Sequence, residues 1–322
     1  LGTTAAMTGN DRPLPPGSTI GILGGGQLAR MLALAAAPLG LKTHVYAPEA
    51  DSPAFDVAAA RTIAAYEDKS ALAAFAVATN VVTYEFENVP VATAEFLAKL
   101  VPVRPGAKAL ATAQDRLLEK RLASELGVQT ADFATVDSRD ELQAQLRQIV
   151  PPAILKTRRL GYDGKGQVKL RSADEAAVAW QAIGGRLAIL ESVVDFVGEV
   201  SVIAARGIDG RFIAFDLTAN SHKDHILDRS VVPAGLPAAT AEAAFEIAKR
   251  VGEAVDYVGV FAIELFVVER AGGNVLLFNE MAPRVHNSGH WSIEGAETSQ
   301  FEQHIRAVAG WPLGSTARRA ER

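Results

Sequence analysis

Glu264 and Glu280 carry the strongest chemical signal in the sequence. They lie in VGVFAIELFVVERAGGNVLLFNEMAPR, two apolar runs joined by a Gly-Gly turn, which reads as a β-hairpin. A hairpin centred on Gly272 pairs positions whose numbers sum to 544, so Phe266 faces Phe278 and Glu264 faces Glu280. Carboxylates directly opposite on one sheet face sit ~5 Å apart and repel unless a positive charge lies between them. A divalent cation meets that need. Mg²⁺ (or Mn²⁺) takes a few carboxylate oxygens, keeps some waters and draws its remaining ligands from nucleotide phosphates. Asn279 supplies one further neutral oxygen, whereas a register shifted by one or two residues separates the acids and removes the site. Immediately downstream, MAPRVHNSGHW gathers Arg284, His286, Asn287, Ser288 and His290. An arginine there can grip a carboxylate or phosphate with two bonds. Each histidine, taken singly, is equally well read as a satisfied structural group.

A second constellation, RRLGYDGKGQ from Arg158 to Gln167, follows an apolar run that ends in Lys156. Gly161, Gly164 and Gly166, with Arg158, Arg159 and Lys165 around them, suit a mobile cationic flap that closes over a polyphosphate with backbone donors. It is not a Walker loop, and the competing reading is a basic turn between two strands. A third, TIGILGGGQLARML, runs from a strand through a glycine turn into a helix, and Gly24, Gly26 and Ala29 match G-x-G-x-x-A. Glu49 and Asp51 follow at roughly the 20-residue distance of a ribose-binding acid. Three readings fit this turn: a dinucleotide pyrophosphate at the helix N-terminus, another phosphorylated ligand, or no ligand at all.

These residues need more than one core to position them. A chain of 322 residues, 49% apolar, divides into two or three domains. Its net charge of −5 gives no general attraction for nucleic acid or an anionic membrane, which leaves a small solute as the ligand. The absence of cysteine excludes disulfides, thiolate nucleophiles and cysteine-ligated metal centres, and fits a cytoplasmic setting. No apolar run approaches the ~18 residues of a membrane span, and residues 1–17 read as a disordered leader. From Ser18, short apolar runs at Thr19–Leu23, Thr43–Tyr46, Arg61–Ala64 and Asn80–Tyr84 alternate with helical stretches at Gln27–Leu39 and Ser70–Ala78. That alternation predicts an α/β domain with parallel strands over 18–108. The helix QDRLLEKRLASEL then ends at Gly127. Beyond it lie Ala153–Lys156, Gln167–Leu170, a capping box at Ser172 and Glu175, Glu199–Ala205 and Arg211–Leu217, an α+β domain over 109–313 in which strands outnumber helices.

The order of GGGQL, TYEFENV, QDR, a lysine before GYDGKGQ, GEVS, NSHKD, the two glutamates and NEMAPRVHNSGHW resembles ATP-grasp ligases. Within that superfamily it is similar to the N5-carboxyaminoimidazole ribonucleotide synthases of purine biosynthesis, from about Thr19 to Leu313. The resemblance implies a nucleotide-fold-like pre-ATP-grasp domain, a two-lobed ATP-grasp core and a small C-terminal domain. The last is expected to be missing, with residues 314–322 the start of a truncated segment; in the family that segment supplies basic residues for the ribonucleotide phosphate. The resemblance places ATP contacts on Arg116, Lys156, the loop residues Gly161, Tyr162, Asp163, Gly164, Lys165, Gly166 and Gln167, the segment Glu191, Ser192, Val193 and Val194, Glu199 and His222. It places the metal ligands on Glu264 and Glu280, with Asn279 beside them. Gly26, Gln27, Glu85, Asn88, Tyr162, Arg284, His286 and Asn287 fall where the family meets aminoimidazole ribonucleotide or bicarbonate, which turns the glycine loop away from a dinucleotide. Lys156, Arg284, His286 and Asn287 are the implied catalytic residues. The implied reaction consumes ATP with Mg²⁺, forms carboxyphosphate from bicarbonate and transfers its carboxyl group to the 5-amino group of the ribonucleotide. A cytoplasmic homodimer is implied as well. Two other readings remain beside it: a different ATP-grasp carboxylate–amine ligase, and a non-catalytic nucleotide-binding module.

Overall fold

A computed structural model of the protein describes residues 12–159, 165–223 and 226–319. The first domain is a parallel sheet of β1 (Thr19–Leu23), β2 (Lys42–Ala47), β3 (Ala60–Ile63) and β4 (Val81–Tyr84), in the order β3-β2-β1-β4. Ile20, Ile22 and Leu23 of β1 are wholly buried, as a central strand covered on both faces requires. The chain steps from β1 to β3 on one side and then crosses to β4. Strand order therefore reverses between β1 and β4, and the crevice beyond their carboxyl ends is where open parallel sheets hold ligands. Helix α1 (Gln27–Ala36) leaves that crevice. It stops short of the expected Leu39 because Pro38 cannot continue the ladder, and Ala37–Leu39 tighten into a 3₁₀ turn closed by Gly40 at φ 71°. Helices α2 (Lys69–Val77), capped by Asp68, α3 (Val91–Ala98) and α4 (Ala107–Ala113) complete the layer.

Helix α5 (Arg116–Glu125) opens the second unit, N-capped by Asp115, and Gly127 at φ 65° ends it. Its first lobe holds β5 (Phe133–Val136), α6 (Arg139–Gln145), β6 (Ala153–Thr157), β7 (Gln167–Leu170), α7 (Ala176–Ala182) and β8 (Ala188–Ser192), an antiparallel sheet in the order β5-β8-β6-β7. The capping box expected at Ser172 and Glu175 is only half made. Glu175 accepts from the Arg171 N–H, but Ser172 makes no side-chain cap and a 3₁₀ turn precedes α7. Before α6, Ser138 accepts from the Glu141 N–H and Glu141 accepts from the N–H of Asp137, one residue ahead of the cap. The second lobe is an antiparallel sheet of β9 (Gly198–Arg206), β10 (Phe212–Ala214), β11 (Thr218–Lys223), β12 (Ile226–Val231), β13 (Gly259–Arg270) and β14 (Gly273–Ala282), backed by α8 (Ala238–Ala254). Of the run Arg211–Leu217, only Phe212–Ala214 pairs as a strand.

Helices α9 (Ser292–Gly295) and α10 (Gln300–Val308) follow β14. Phe301, Ile305 and Val308 of α10 join Ile20, Ile22 and Leu32 of the first domain and Ile203 and Val260 of the second in one apolar cluster. His304 sits inside it. The ring accepts from the Val260 N–H at 3.1 Å through Nδ1 and meets Thr83 Oγ1 at 2.8 Å through Nε2, tying β4 to β13. Residues 12–17, expected within a disordered leader, are instead docked. The Leu14 N–H donates to Ala309 O, the Trp311 indole donates to Leu14 O, and the Gly17 N–H donates to Gly40 O. Three prolines in this stretch, Pro13, Pro15 and Pro16, leave little chain entropy to lose on docking. Residues 1–11 lie outside the described residues. Among the described residues no helix is long and apolar enough to cross a membrane.

Candidate active site

Strands β13 and β14 place Glu264 opposite Glu280. The rest of the ladder departs from the expected register, for Phe266 faces Leu277, Leu265 faces Phe278 and the turn closes at Arg270 and Gly273. The pairs between the turn and Leu265 sum to 543 rather than 544, a register one residue off the expected one, and a bulge at Asn279 restores the alignment of the two acids. A bulge sets two residues of one strand against one of the other and re-aims a side chain. Here the Asn279 side chain hydrogen-bonds the Glu264 carboxyl while Glu280 stays opposite it. Burial, then the Glu280 charge, pushes the Glu264 carboxyl up to about 8. Glu280 is also pushed up by burial, but the Arg116 guanidinium at 3.0 Å and Lys156 outweigh that and hold it below the usual carboxylate range. One acid of the pair is thus charged and the other resists ionising beside it. Two hard-oxygen carboxylates of this kind fit Mg²⁺, and among the described residues no group of three or more acids and histidines forms a protein-only cage. Such a cation completes its shell with water and phosphate oxygens.

The wall facing this pair is cationic. Arg116, Glu119 and Lys120 stand at i, i+3 and i+4 of α5, one face of the helix. Arg116 pairs with Glu280, the Glu119 carboxylate accepts from the Met281 N–H at 2.8 Å, and Lys120 donates to Phe278 O at 3.1 Å. Burial, then the Glu280 charge, keeps Glu119 well above its ordinary pKa. Lys156 of β6 donates to Glu191 of β8 at 2.8 Å, and Lys120 lies 3.8 Å from the same carboxylate oxygen. Burial would raise Glu191, yet the two lysines dominate and pull it down to about 2. Asp115, which caps α5, also holds Arg158 through two bonds of 3.0 and 2.6 Å and Arg159 at 3.4 Å. It therefore fixes the stem of the glycine loop to the helix that carries the cations. Gly161, Tyr162, Asp163 and Gly164 lie outside the described residues. Lys165, Gly166 and Gln167 are described, and Gly166 O accepts from the Thr157 N–H at 2.8 Å. Ser192, Val193 and Val194 line a cleft with Gln129 and Asp132. Glu199 and His222, on neighbouring strands, approach to 3.3 Å.

At the crevice of the first domain, the glycine turn is occupied by the protein itself. The Gly26 and Ala29 N–H groups donate to the two oxygens of Glu85, at 2.5 and 2.7 Å, in the place where a helix N-terminus would hold a pyrophosphate. The glycines make room for that carboxylate: a Cβ on Gly24 would lie 2.5 Å from Glu85 Cγ, and one on Gly26 would lie 2.9 Å from Glu85 Oε1. The dinucleotide reading falls on this point, and Glu49 and Asp51 remain exposed loop residues. Gln27 and Asn88 are exposed at the mouth of the crevice. Two residues beyond Glu85, Glu87 accepts from Arg284 at 2.5 and 3.4 Å, so the loop after β4 grips the segment after β14. His286 Nε2 lies 3.3 Å from Glu264 Oε1; burial and then Arg284 hold the ring down to about 4, which keeps it neutral. Asn287 is exposed beside it.

An ATP-grasp domain model matches residues 121–301, and a ribonucleotide synthetase preATP-grasp domain model matches residues 18–114. The N5-carboxyaminoimidazole ribonucleotide synthase of Brucella melitensis is 53% identical over 310 residues, which are 96% of this chain and 85% of that protein. The chain belongs to the N5-carboxyaminoimidazole ribonucleotide synthase family. The synthetase of Thermus thermophilus superposes with a TM-score of 0.87 at 50% identity, covering 93% of this chain and 81% of that one. The synthase of Aspergillus clavatus in complex with ADP and 5-aminoimidazole ribonucleotide gives 0.87 at 28% identity, over 94% and 80% of the two chains. As a member of this synthase family the chain is an ATP-dependent ligase with a preATP-grasp domain followed by an ATP-grasp domain.

Within the candidate site the fold brings together Arg116, Lys156, Glu191, Glu264, Asn279, Glu280, Arg284 and His286, while Gly26 and Glu85 meet each other in the adjoining crevice. Sequence reasoning missed Lys120, Glu119, Asp115 and Glu87. Lys120 and Glu119 had a signal, namely acid and base at i+3 and i+4 from Arg116 on one helix face. Glu87 had none, because its partner Arg284 lies 197 residues away.

Proposed function

We propose that this chain carboxylates the 5-amino group of 5-aminoimidazole ribonucleotide with ATP and bicarbonate, giving N5-carboxyaminoimidazole ribonucleotide, ADP and phosphate in purine biosynthesis. The observation that carries the reading is the single site in which a facing carboxylate pair, a wall of Arg116, Lys120 and Lys156, and the Arg284–His286–Asn287 segment adjoin a crevice at the strand-order switch. A complex of the Aspergillus relative with ADP and the ribonucleotide supports the same two substrates here. In the first step a bicarbonate oxygen bonds to the γ-phosphorus as the bond to the β–γ bridging oxygen breaks, and ADP leaves with the electron pair. In the second, the amine nitrogen attacks the carboxyl carbon of carboxyphosphate. Its C–O bond to phosphate breaks, phosphate departs and the amine gives up a proton.

The protein's part is positioning and charge. Lys156 and Arg116 offset the negative charge that builds on the phosphoryl oxygens, and Glu191 keeps Lys156 in place. Arg284 orients the anion, and His286, a neutral donor, faces the reacting groups without competing for a proton. Glu264 and Glu280, with Asn279 beside them, would hold Mg²⁺ (or Mn²⁺), which supplies Lewis-acid polarisation of the phosphates when bound. Gly26, Gln27 and Asn88 line the ribonucleotide side. The glycine loop Gly161–Gln167, the segment Glu191–Val194, Glu199 and His222 belong to the ATP side of this reading, as do a cytoplasmic setting and a homodimer to its assembly. The test is ADP release with Mg-ATP under carbon-dioxide-free buffer, with bicarbonate and the ribonucleotide added singly and together. Release that needs both supports the assignment; release that ignores bicarbonate overturns it.

A further inference from the structure

The motif QDR, Gln114–Asp115–Arg116, lends only its arginine to the reaction proposed above. The tripeptide is the break between two helices. Gln114 ends α4 and Asp115, in extended backbone, N-caps α5, and the three successive side chains reach three different parts of the fold. Arg116 meets Glu280 of β14 at 3.0 Å. Asp115, 2% exposed, holds Arg158 just beyond β6 through bonds of 3.0 and 2.6 Å, and the Arg116 N–H donates to Arg158 O at 3.0 Å. Gln114 reaches the first domain, where its Nε2 lies 2.7 Å from Glu87 O and 2.6 Å from Val89 O.

Carbonyls only accept, so the nitrogen is the end of the Gln114 amide that faces them, and both of its N–H groups go to one loop. That loop, residues 85–89, belongs to no strand or helix. It nevertheless carries three groups of the crevice: Glu85, which fills the glycine turn, Glu87, which grips Arg284, and Asn88 at the mouth. Val89 anchors the far end by burial, but a packed valine does not by itself set the peptide planes before it. One amide bound to two carbonyls two residues apart does. On the opposite side Arg158 lies two residues beyond Lys156, so the Asp115 carboxylate sets the end of the strand that presents this lysine.

We propose that Gln114 and Asp115 are positioning residues for opposite substrates: Gln114 fixes the loop that receives the ribonucleotide, and Asp115 fixes the strand end that presents Lys156 to ATP. The assignment rests on the carboxylation reading above. Although adjacent in the chain, the two are separable by substitution. Gln114→Ala removes both donors and leaves the Asp115 cap in place. Asp115→Asn keeps an oxygen for the Leu117 N–H, which Asp115 accepts at 3.0 Å, and asparagine caps a helix as well as aspartate does. Its amide nitrogen then faces the Arg158 guanidinium, donor against donor.

Steady-state ADP release by the full chain, with Mg-ATP and 5-aminoimidazole ribonucleotide varied in turn at saturating bicarbonate, separates the two roles. Gln114→Ala should raise KM for the ribonucleotide about tenfold, the contribution of one to two net hydrogen bonds, with KM for ATP within about twofold of the parent. Asp115→Asn should do the reverse. A merely structural role moves both constants together in each variant, and that result overturns the proposal. Gln114→Glu, which sets carboxylate oxygens against the two carbonyls, is the second variant, and a ribonucleotide KM at the parent's value in either Gln114 variant overturns the proposal too. Amide hydrogen exchange of the ligand-free proteins gives a readout independent of activity: peptides covering 85–90 should exchange faster in Gln114→Ala alone, and those covering 153–158 faster in Asp115→Asn alone. This crossed exchange, in a parent whose ADP release ignores bicarbonate and the ribonucleotide, supports the two tethers and overturns the functional reading alone. Exchange that is not crossed overturns the tethers themselves.

Discussion

Glu191→Gln removes the carboxylate on which Lys156 and Lys120 both rest while keeping the shape of the side chain. The Glu191 side chain is 4% exposed and that of Lys120 is 2% exposed, so solvent screens their interaction little. The folded protein holds this carboxyl at about 2 against an ordinary 4.5. At about 1.4 kcal/mol for each pH unit, that difference amounts to about 3 kcal/mol of stability, at the lower edge of the ~3–5 kcal/mol that breaking one side of a buried ion pair costs. The sign follows from linkage. A carboxyl whose folded pKa is depressed contributes its full share above its unfolded value, near 4.5, and loses it as pH falls toward 2. Urea unfolding of parent and variant should therefore show a deficit of about 3 kcal/mol at pH 7, shrinking below pH 4.5 as the parent protonates Glu191 and the variant has nothing to protonate. Because other acids titrate in both proteins, the quantity to follow is the difference between them. A deficit below about 1 kcal/mol at pH 7, or one that keeps its size down to about pH 3, would refute the reasoning and leave Lys120 and Lys156 supported by something other than Glu191.

His304 gives a higher pH window of the same sign. Burial holds its ring down to about 4 from an ordinary 6.5, so the folded state prefers it neutral and stability is complete above 6.5, then lost as pH falls toward 4. His304→Gln should flatten that part of the thermal-melting profile, and a variant with the parent's slope between pH 6.5 and 4 shows that the ring does not report on the junction of β4 and β13. Glu87→Gln removes the two-point grip on Arg284 and leaves the guanidinium free to turn toward Glu264 and Glu280, whose charges it already feels. Steady-state kinetics should show the KM for bicarbonate rising several-fold more than the KM for ATP, and equal small changes in both refute the link.

The parts of this protein that were legible in its sequence are those whose cause is local. Thr19–Leu23 reads as a strand because a buried strand needs only a short apolar run between turn signals, and Gln167–Leu170 because Val168 and Leu170 alternate with polar residues; both have the expected bounds. Glu264 and Glu280 were paired correctly for an incomplete reason. The register next to the turn was assumed one residue off, and the bulge at Asn279 compensates, so the two acids meet while Phe266 and Phe278 do not. Nothing in the hairpin's own alternation announces a bulge, because β13 is also registered against β9. The glycine turn failed differently. Its backbone donors would serve a pyrophosphate or a carboxylate equally well, and the carboxylate that fills them, Glu85, comes from the end of another strand 59 residues on. The same holds for charge throughout the site. Arg116 meets Glu280 across 164 residues and Lys156 meets Glu191 across 35. The motifs name the candidate groups, but their protonation is decided by counter-charges delivered by other elements. A carboxyl raised to about 8 at Glu264 and another drawn down to about 2 at Glu191 are the same functional group in two settings, and only the tertiary fold distinguishes the acid that resists its charge from the one that must keep it.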